Sequence, residues 1–436
     1  MKQFKQYLSF ALAAVFLFAF GCAAPRQPIS TPAPTEVAEP VNAKPLSVPQ
    51  LGAAKPLLAP DYETPQTVGT GINAFTFALA DKLHKKGENL VVSPFSVWMT
   101  LAALANATDE AALPELLKAL HVDLRVEELN ASVSRMLYSL TGNEGADGYN
   151  PLSIANAVFV DQSATLQKEF AQNFLDYYRG TAMHVDMQSP EAIDAINAWA
   201  SGHTNGLITD IVKEIPEDTI IALANAVYFS DRWALEFDEQ QTADMIFHGT
   251  GPDATVPFML REGDAIPYYA DDTLQAVNLR MKTGSGMYIL LPKDGDADAL
   301  LARMDAEVFS KIVSDTVPTT GKLLLPRFSL KSDLKLNEAL KDLGVPLLDE
   351  GNPALSRLVQ GTDAFIGSSL HQATISVDEK GTTAAAVTVE LIEPTSMPLA
   401  TEPFLMVCDK PFVFVLYQWT AETGEQALFT GVVNQL

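Results

Sequence analysis

The 436-residue chain is poor in cysteine, in positive charge and in histidine, and each shortage closes a class of function. Its 2 cysteines, Cys22 and Cys408, cannot build a disulfide framework. With 29 Lys+Arg against 54 Asp+Glu the formal net charge is −25, which would repel a nucleic-acid backbone. The 6 histidines (His84, His121, His184, His203, His248, His371) never pair at helical ligand spacing, so neither a metal nor any other cofactor is expected. Gly284-Ser285-Gly286 and Gly367-Ser368-Ser369 both fail the pattern of a nucleophile elbow. Thr319-Thr320-Gly321-Lys322 lacks the upstream glycine of a phosphate loop. No set of catalytic groups emerges, and the chain is not read as an enzyme.

What is abundant is apolar residues, 47% of the chain, enough for a large core. Lys2 and Lys5 precede an apolar run from Leu8 to Phe20, which ends at Gly21-Cys22. A short positive region and an apolar core of this length make an export signal rather than a membrane span. Ala19 and Gly21 before Cys22 resemble a bacterial lipoprotein signal, in which the cysteine is acylated and becomes the new N-terminus. Residues 1–21 are then a leader, and the protein is exported and lipid-anchored on the bacterial cell surface or outer membrane. Simple secretion with an incidental Cys22 is the alternative. Lipidation of Cys22 leaves only Cys408, buried and inert, so no intrachain disulfide forms despite export. Residues 22–66 carry ten prolines from Pro25 to Pro65 and read as an extended, disordered tether.

The folded part spans residues 67–436 as one domain, with no repeat and no second linker. Helical spacing predicts helices over Ile72–Leu83, from Ser96 to Ala105, and over Pro114–Leu120, Gln167–Tyr178, Pro190–Thr204 and Leu334–Leu343. Strands are expected at Leu90–Val92, Ser153–Val160, Thr219–Phe229, Gln275–Leu279, Met287–Leu291, Lys322–Leu330 and Ala373–Asp378. Three more follow at Phe404–Val407, Phe412–Gln418 and Ala427–Val433. Helices dominate the first half and strands the second, without strict alternation, which is an α+β pattern.

One stretch joins two habits. In Ser376-Val377-Asp378-Glu379-Lys380-Gly381-Thr382-Thr383-Ala384-Ala385-Ala386-Val387-Thr388-Val389, small residues that let a backbone bend run into β-prone residues. A solvated loop needs no such strand propensity, and a settled core strand needs larger side chains. The segment reads as loop in one state and strand in another.

Blocks along the chain resemble the serpin family of serine protease inhibitors. They are Asn89-Leu90-Val91-Val92-Ser93-Pro94-Phe95-Ser96, Leu223 to Trp233, Leu324-Leu325-Pro326-Arg327-Phe328, Leu370-His371-Gln372-Ala373, Asp409-Lys410-Pro411-Phe412 and Phe429-Thr430-Gly431-Val432-Val433-Asn434. Their order and spacing cover the chain from about Asn73 to the end. The resemblance implies a serpin fold of three β-sheets and about nine helices, whose largest sheet accepts an extra strand. It implies a monomer whose exposed reactive-centre loop, at about residues 379–403, baits a serine endopeptidase, with cysteine endopeptidases as a second target class. Attack gives an acyl-enzyme, and loop insertion then traps the protease.

On this resemblance Glu379, Gly381, Thr382, Ala384, Ala385, Ala386 and Thr388 form the hinge that enters the sheet. Ser93, Ser96, Asn225 and His371 form a hydrogen-bonded latch where the sheet opens, and Trp233 stands where the hinge first enters. Read without the family, His371 is a satisfied core histidine and Trp233 a core aromatic. Family spacing puts the scissile bond at Thr395-Ser396, with Ser396-Met397 as the neighbouring alternative. With Ile392 and Pro394 before it and no nearby Lys or Arg, this bait suits an elastase-like or subtilisin-like protease. Glu390 departs from the pattern: alternation puts it on the same face as Thr382, where a buried charge opposes insertion. A non-inhibitory serpin, cleaved without trapping, is the competing reading.

Overall fold

In the computed structural model the described residues are 12–19, 44–45, 53–59, 67–141, 151–351, 353–381, 402–420 and 423–436. The first part of the chain holds β1 (Leu12–Ala19), β2 (Lys44–Pro45), α1 (Thr67–Leu83), β3 (Leu90–Val92), α2 (Pro94–Leu104), α3 (Leu113–Ala119) and α4 (Val126–Thr141). There follow β4 (Leu152–Asp161), α5 (Lys168–Tyr178), β5 (Gly180–Val185), α6 (Pro190–His203) and β6 (Ile221–Phe229). The middle is strand-rich: β7 (Ala243–Phe247), β8 (Ala254–Ala270), β9 (Leu274–Arg280) and β10 (Ser285–Pro292), then α7 (Ala297–Arg303) and α8 (Ala306–Asp315). The last part is β11 (Val317–Pro326), β12 (Phe328–Lys335), α9 (Asn337–Asp342), β13 (Ser368–Val377), β14 (Phe404–Val407), β15 (Phe412–Thr420) and β16 (Gly424–Val433).

The largest single sheet has seven strands in the order β12-β13-β1-β6-β4-β5-β2. A second path of ladders runs β14-β11-β8-β9-β10-β15-β16-β3, with β7 on β8. The 17-residue β8 belongs to two layers. Most of it pairs with β7 and β11, and its last residues Tyr268–Ala270 pair with β9. It bends near Gly263, where the β11 register slips between Thr319 and Gly321, so the path divides and the molecule has three sheets.

At the centre lies α2, capped by Ser93 with Pro94 in its first turn and buried along its whole length. A helix apolar all round belongs in a core, and α2 packs on both β6 and β16.

Several elements depart from expectation. The run Lys322–Leu330 is two strands, because the chain leaves β11 at Pro326 and Arg327 and enters the other sheet as β12. Proline has no amide hydrogen to continue a ladder. The helix expected from Leu334 starts only at Asn337, since Leu334 and Lys335 still pair with His371 and Leu370. Helices α4, α7 and α8 and strand β5 were not anticipated. The signal for α4 was present in Leu129, Val133, Met136, Leu137 and Leu140, all buried on one face.

The N-terminal region also differs from the picture of an unpacked leader and tether. Leu12–Ala19 lies as β1 between β13 and β6, and Lys44–Pro45 adds an edge strand on β5. Lys55 donates its backbone N–H to Asp176 Oδ1 (3.0 Å) and its Nζ lies 3.1 Å from Asp176 Oδ2. Arg179 donates to the Lys55 carbonyl at 2.7 Å, and the Leu58 amide donates to Ser134 Oγ at 3.0 Å. Exposed backbone groups of strand edges and side chains of α4 and α5 give these backbone segments their hydrogen-bond partners.

Candidate functional site: the hinge and the slot beside it

Strand β13 runs out at Val377 into a tight turn, Asp378-Glu379-Lys380-Gly381. Asp378 Oδ1 accepts the amides of Lys380 (2.9 Å) and Gly381 (3.2 Å), and Asp378 forms an antiparallel bridge with Gly381. Gly381 has φ +135°, and a Cβ there would sit 2.4 Å from the Asp231 carbonyl oxygen. Only glycine fits both the conformation and the space.

The turn is clamped from three sides. Trp233, fully buried, donates its indole Nε1–H to the Asp378 carbonyl at 2.9 Å and its backbone amide to the Lys380 carbonyl at 3.0 Å. Phe237 donates its amide to the Glu379 carbonyl (2.9 Å) and meets Trp233 edge-on, with Arg261 stacked 4.2 Å from its ring centroid. Glu379 is 3% exposed, and Arg327 grips it with Nε at 2.9 and 2.8 Å from the two oxygens and Nη2 at 2.6 Å. Thr242 adds a hydroxyl. Burial opposes ionisation of Glu379, but the hydrogen bonds from Arg327 and Thr242 outweigh it and hold the carboxyl below its ordinary pKa. Beneath the turn, burial pushes the Asp231 carboxyl up, although it accepts from Thr283 and Ser285.

The latch residues meet about halfway along the same sheet. His371 on β13 accepts the Ser93 amide at Nε2 (3.0 Å), which fixes the neutral ring with its proton on Nδ1. Burial lowers its pKa to about 3. Ser93 Oγ donates to the Leu428 carbonyl (2.8 Å). One turn on, Ser96 Oγ donates to Asn225 Oδ1 on β6, and Asn225 Nδ2 donates to Asn156 Oδ1 on β4 at 2.7 Å. The start of α2 therefore holds β13 through Ser93 and β6 through Ser96. Between those two strands the backbone of β1 completes both ladders, with Phe16 opposite His371 on one side and Asn225 on the other.

The structure thus gathers Ser93, Ser96, Asn225 and His371, and separately Trp233, Glu379 and Gly381. Thr382, Ala384, Ala385, Ala386, Thr388, Glu390, Thr395, Ser396 and Cys22 lie outside the described residues. Cys408 is buried and free, and its thiol pKa is raised by burial and by Asp409. Sequence reasoning missed the roles of Arg327, Asp378 and Asn156. For Asn156 a signal existed: β4 and β6 share Ala-Asn-Ala-Val, and Asn156 and Asn225 stand directly opposite each other.

The model of the family described as serpin (serine protease inhibitor) matches residues 70–436. The chain belongs to the serpin family. An uncharacterized serpin-like protein of Thermococcus kodakarensis is 31% identical over 367 residues, 84% of this chain and 84% of that one. Serpin-Z10 of Arabidopsis thaliana is 32% identical over 346 residues, 76% of this chain and 88% of its own. Among solved structures, the native state of the thermophilic serpin tengpin superposes with TM-score 0.77 at 24% identity, covering 91% of this chain and all of that one. Arabidopsis AtSerpin1 in its native stressed conformation gives 0.73 at 26% identity, covering 85% and 99%.

Proposed function

We propose that the chain is a suicide-substrate inhibitor of serine endopeptidases of the elastase-like or subtilisin-like kind, with cysteine endopeptidases as a second target class. One observation carries this reading: the edges of β6 and β13 accept an eight-residue strand antiparallel to both, directly beside a hinge anchored at Gly381. The small residues Thr382, Ala384, Ala385 and Ala386 follow that hinge in sequence. The protease serine attacks the Thr395 carbonyl, or the Ser396 carbonyl in the neighbouring register. An ester forms and the peptide bond breaks, releasing the amine of the next residue. Insertion of the freed loop as a central strand then carries the ester-bound protease away before hydrolysis, with strand pairing offsetting the cost of ordering the loop. The processed chain is exported and held at a bacterial surface or outer membrane by a lipid on Cys22.

Mixing the protein with an elastase-class and a subtilisin-class protease tests this. The expected result is an SDS-resistant adduct whose mass locates the cleaved bond. Complete loop cleavage with no adduct would point instead to a non-inhibitory serpin.

A further inference from the structure

We propose that Asp231 is a positioning residue for the hinge turn, and that its buried charge makes the grip on that turn depend on a proton. The grip itself stands on direct contacts; only its bearing on protease trapping rests on the inhibitory reading above.

Asp231 opens the segment that holds the turn. Trp233 and Phe237 donate from this segment to the carbonyls of Asp378, Glu379 and Lys380, and Arg232 forms an antiparallel bridge with Gly381. The Asp231 carbonyl is the wall against which Gly381 packs. On its other side the segment leans on the turn between β9 and β10. Lys282 donates its amide to the Arg232 carbonyl at 3.0 Å, and Ala234 donates its amide to the Arg280 carbonyl at 2.9 Å. The Asp231 side chain closes over this second turn. Its Oδ2 accepts from the Thr283 amide (3.2 Å), the Thr283 hydroxyl (2.5 Å) and the Ser285 hydroxyl (2.7 Å), and its Oδ1 accepts the Arg232 amide (2.8 Å). The carboxyl thereby sets where the clamp stands relative to the β9–β10 hairpin.

These donors are all neutral, and Asp231 is 2% exposed. In such surroundings the charged carboxylate is disfavoured against the neutral acid. The ions nearby are Arg232 and Lys282, which reach Glu236 at 2.6 and 3.4 Å, and Lys380, which pairs with Glu239 at 3.2 Å. Beyond them Arg327 holds Glu379, Asp378 accepts the amides of its own turn, and Arg261 stacks on Phe237. Hydroxyl partners suit both forms of Asp231, because Thr283 and Ser285 can donate to a carboxylate and accept from a carboxylic acid. Proton uptake therefore relieves the charge without breaking the network. Burial raises the Asp231 pKa in keeping with this. The sign is that of an acid held above its ordinary value: its support is complete when protonated and is lost as pH rises through the folded pKa. A brace of uncharged residues would hold equally at every pH, whereas Asp231 leaves the clamp firm in acid and eased above it.

The test measures amide hydrogen exchange at Trp233 and Phe237, whose N–H groups donate to the turn, at pH 4 and pH 8 on the full chain. After correction for intrinsic exchange, opening is expected to be about fivefold more frequent at pH 8 than at pH 4. Local exchange is read instead of Tm because the neutral His371 makes global stability fall towards acid. Asp231→Asn should bring the pH 8 to pH 4 ratio near one. Ser285→Ala takes a donor from the ionised form and should raise the ratio about twofold above that of the wild type. An Asp231→Asn ratio equal to that of the wild type, or a Ser285→Ala ratio that does not rise, would overturn the inference; the second variant decides it if the first does not fold. Adduct yield with a subtilisin-class protease keeps the two readings apart. No adduct from any chain would overturn the inhibitory reading and leave the exchange ratios to decide the brace.

Discussion

The turn after β13 and the middle of the sheet it leaves are held by opposite kinds of chemistry. At the hinge the hold is charged: Glu379 is buried against Arg327, whose side chain is 43% exposed. Along the slot it is neutral: Ser93, Ser96, Asn225, Asn156 and a His371 whose pKa has fallen to about 3. On the proposed loop-insertion reading, the difference follows from what each place must do. A turn that stays fixed while its flanking segment moves gains from a bidentate ion pair, which is strong and geometrically specific. A seam that admits another strand must exchange hydrogen bonds without stranding a charge, because an unpaired buried ion costs several kcal/mol, on the order of 3–5 when one partner is removed.

The largest break in this comparison should come from the hinge backbone. Gly381→Val combines a strained φ with a Cβ inside the Asp231 carbonyl contact, and a loss of about 3 kcal/mol or more is expected in urea denaturation. Gly381→Ala should behave nearly as badly, since the clash is with Cβ itself. A midpoint close to that of the wild type in both variants would refute the clamp.

Next comes the asymmetry of the ion pair. Arg327→Met leaves a carboxylate 3% exposed without its cation and should cost about 3 kcal/mol. Glu379→Gln leaves a half-exposed guanidinium that water can reach, and should cost only about 1 kcal/mol. Equal losses would mean that the charge at the hinge is not what holds it.

The third prediction separates hinge from latch by pH. The folded-state pKa of His371, about 3, lies below the unfolded value of about 6.5, so the unfolded chain binds the extra proton. Its contribution is complete above pH ~6.5 and falls by roughly 1.4 kcal/mol per pH unit as pH drops from there towards the folded pKa. A Glu379 carboxyl held below its ordinary value acts lower: its contribution is present above the unfolded pKa of about 4.5 and is lost only as pH falls through the folded one. Between pH 6.5 and 5, subtracting the stability curve of His371→Gln from that of the wild type should leave a slope that steepens from about half to nearly all of the ~1.4 kcal/mol per pH unit. A flat difference would show that the ring is not held neutral.

The smallest effect is expected at Trp233. Phenylalanine keeps the aromatic contact with Phe237 but leaves the Asp378 carbonyl without its indole donor, for about 1 kcal/mol. A loss several times larger would make the indole a structural pillar rather than one of several hinge donors.

Much of this was legible in the residues. The α+β class and the family follow from local patterns and from ordered blocks, and through the resemblance those blocks single out Ser93, Ser96, Asn225, His371 and Gly381. The charged clamp was not legible, because Arg327 and Glu379 stand 52 residues apart and neither breaks its local pattern. The split of β11 from β12 was hidden for a related reason: a strand that changes sheets keeps the same alternation on both sides of the break.

By itself the sequence determined which segments can be strands, Val387-Thr388-Val389 after the alanines among them, while the apolar run behind Lys2 and Lys5 reads as an export leader. Strand propensity is local, so residue types suffice to declare it. Which of the two segments fills the space between β6 and β13 is a matter of unpaired edges, register and distance from the hinge, and these exist only once the sheet has formed. The tertiary structure gives that place to Leu12–Ala19.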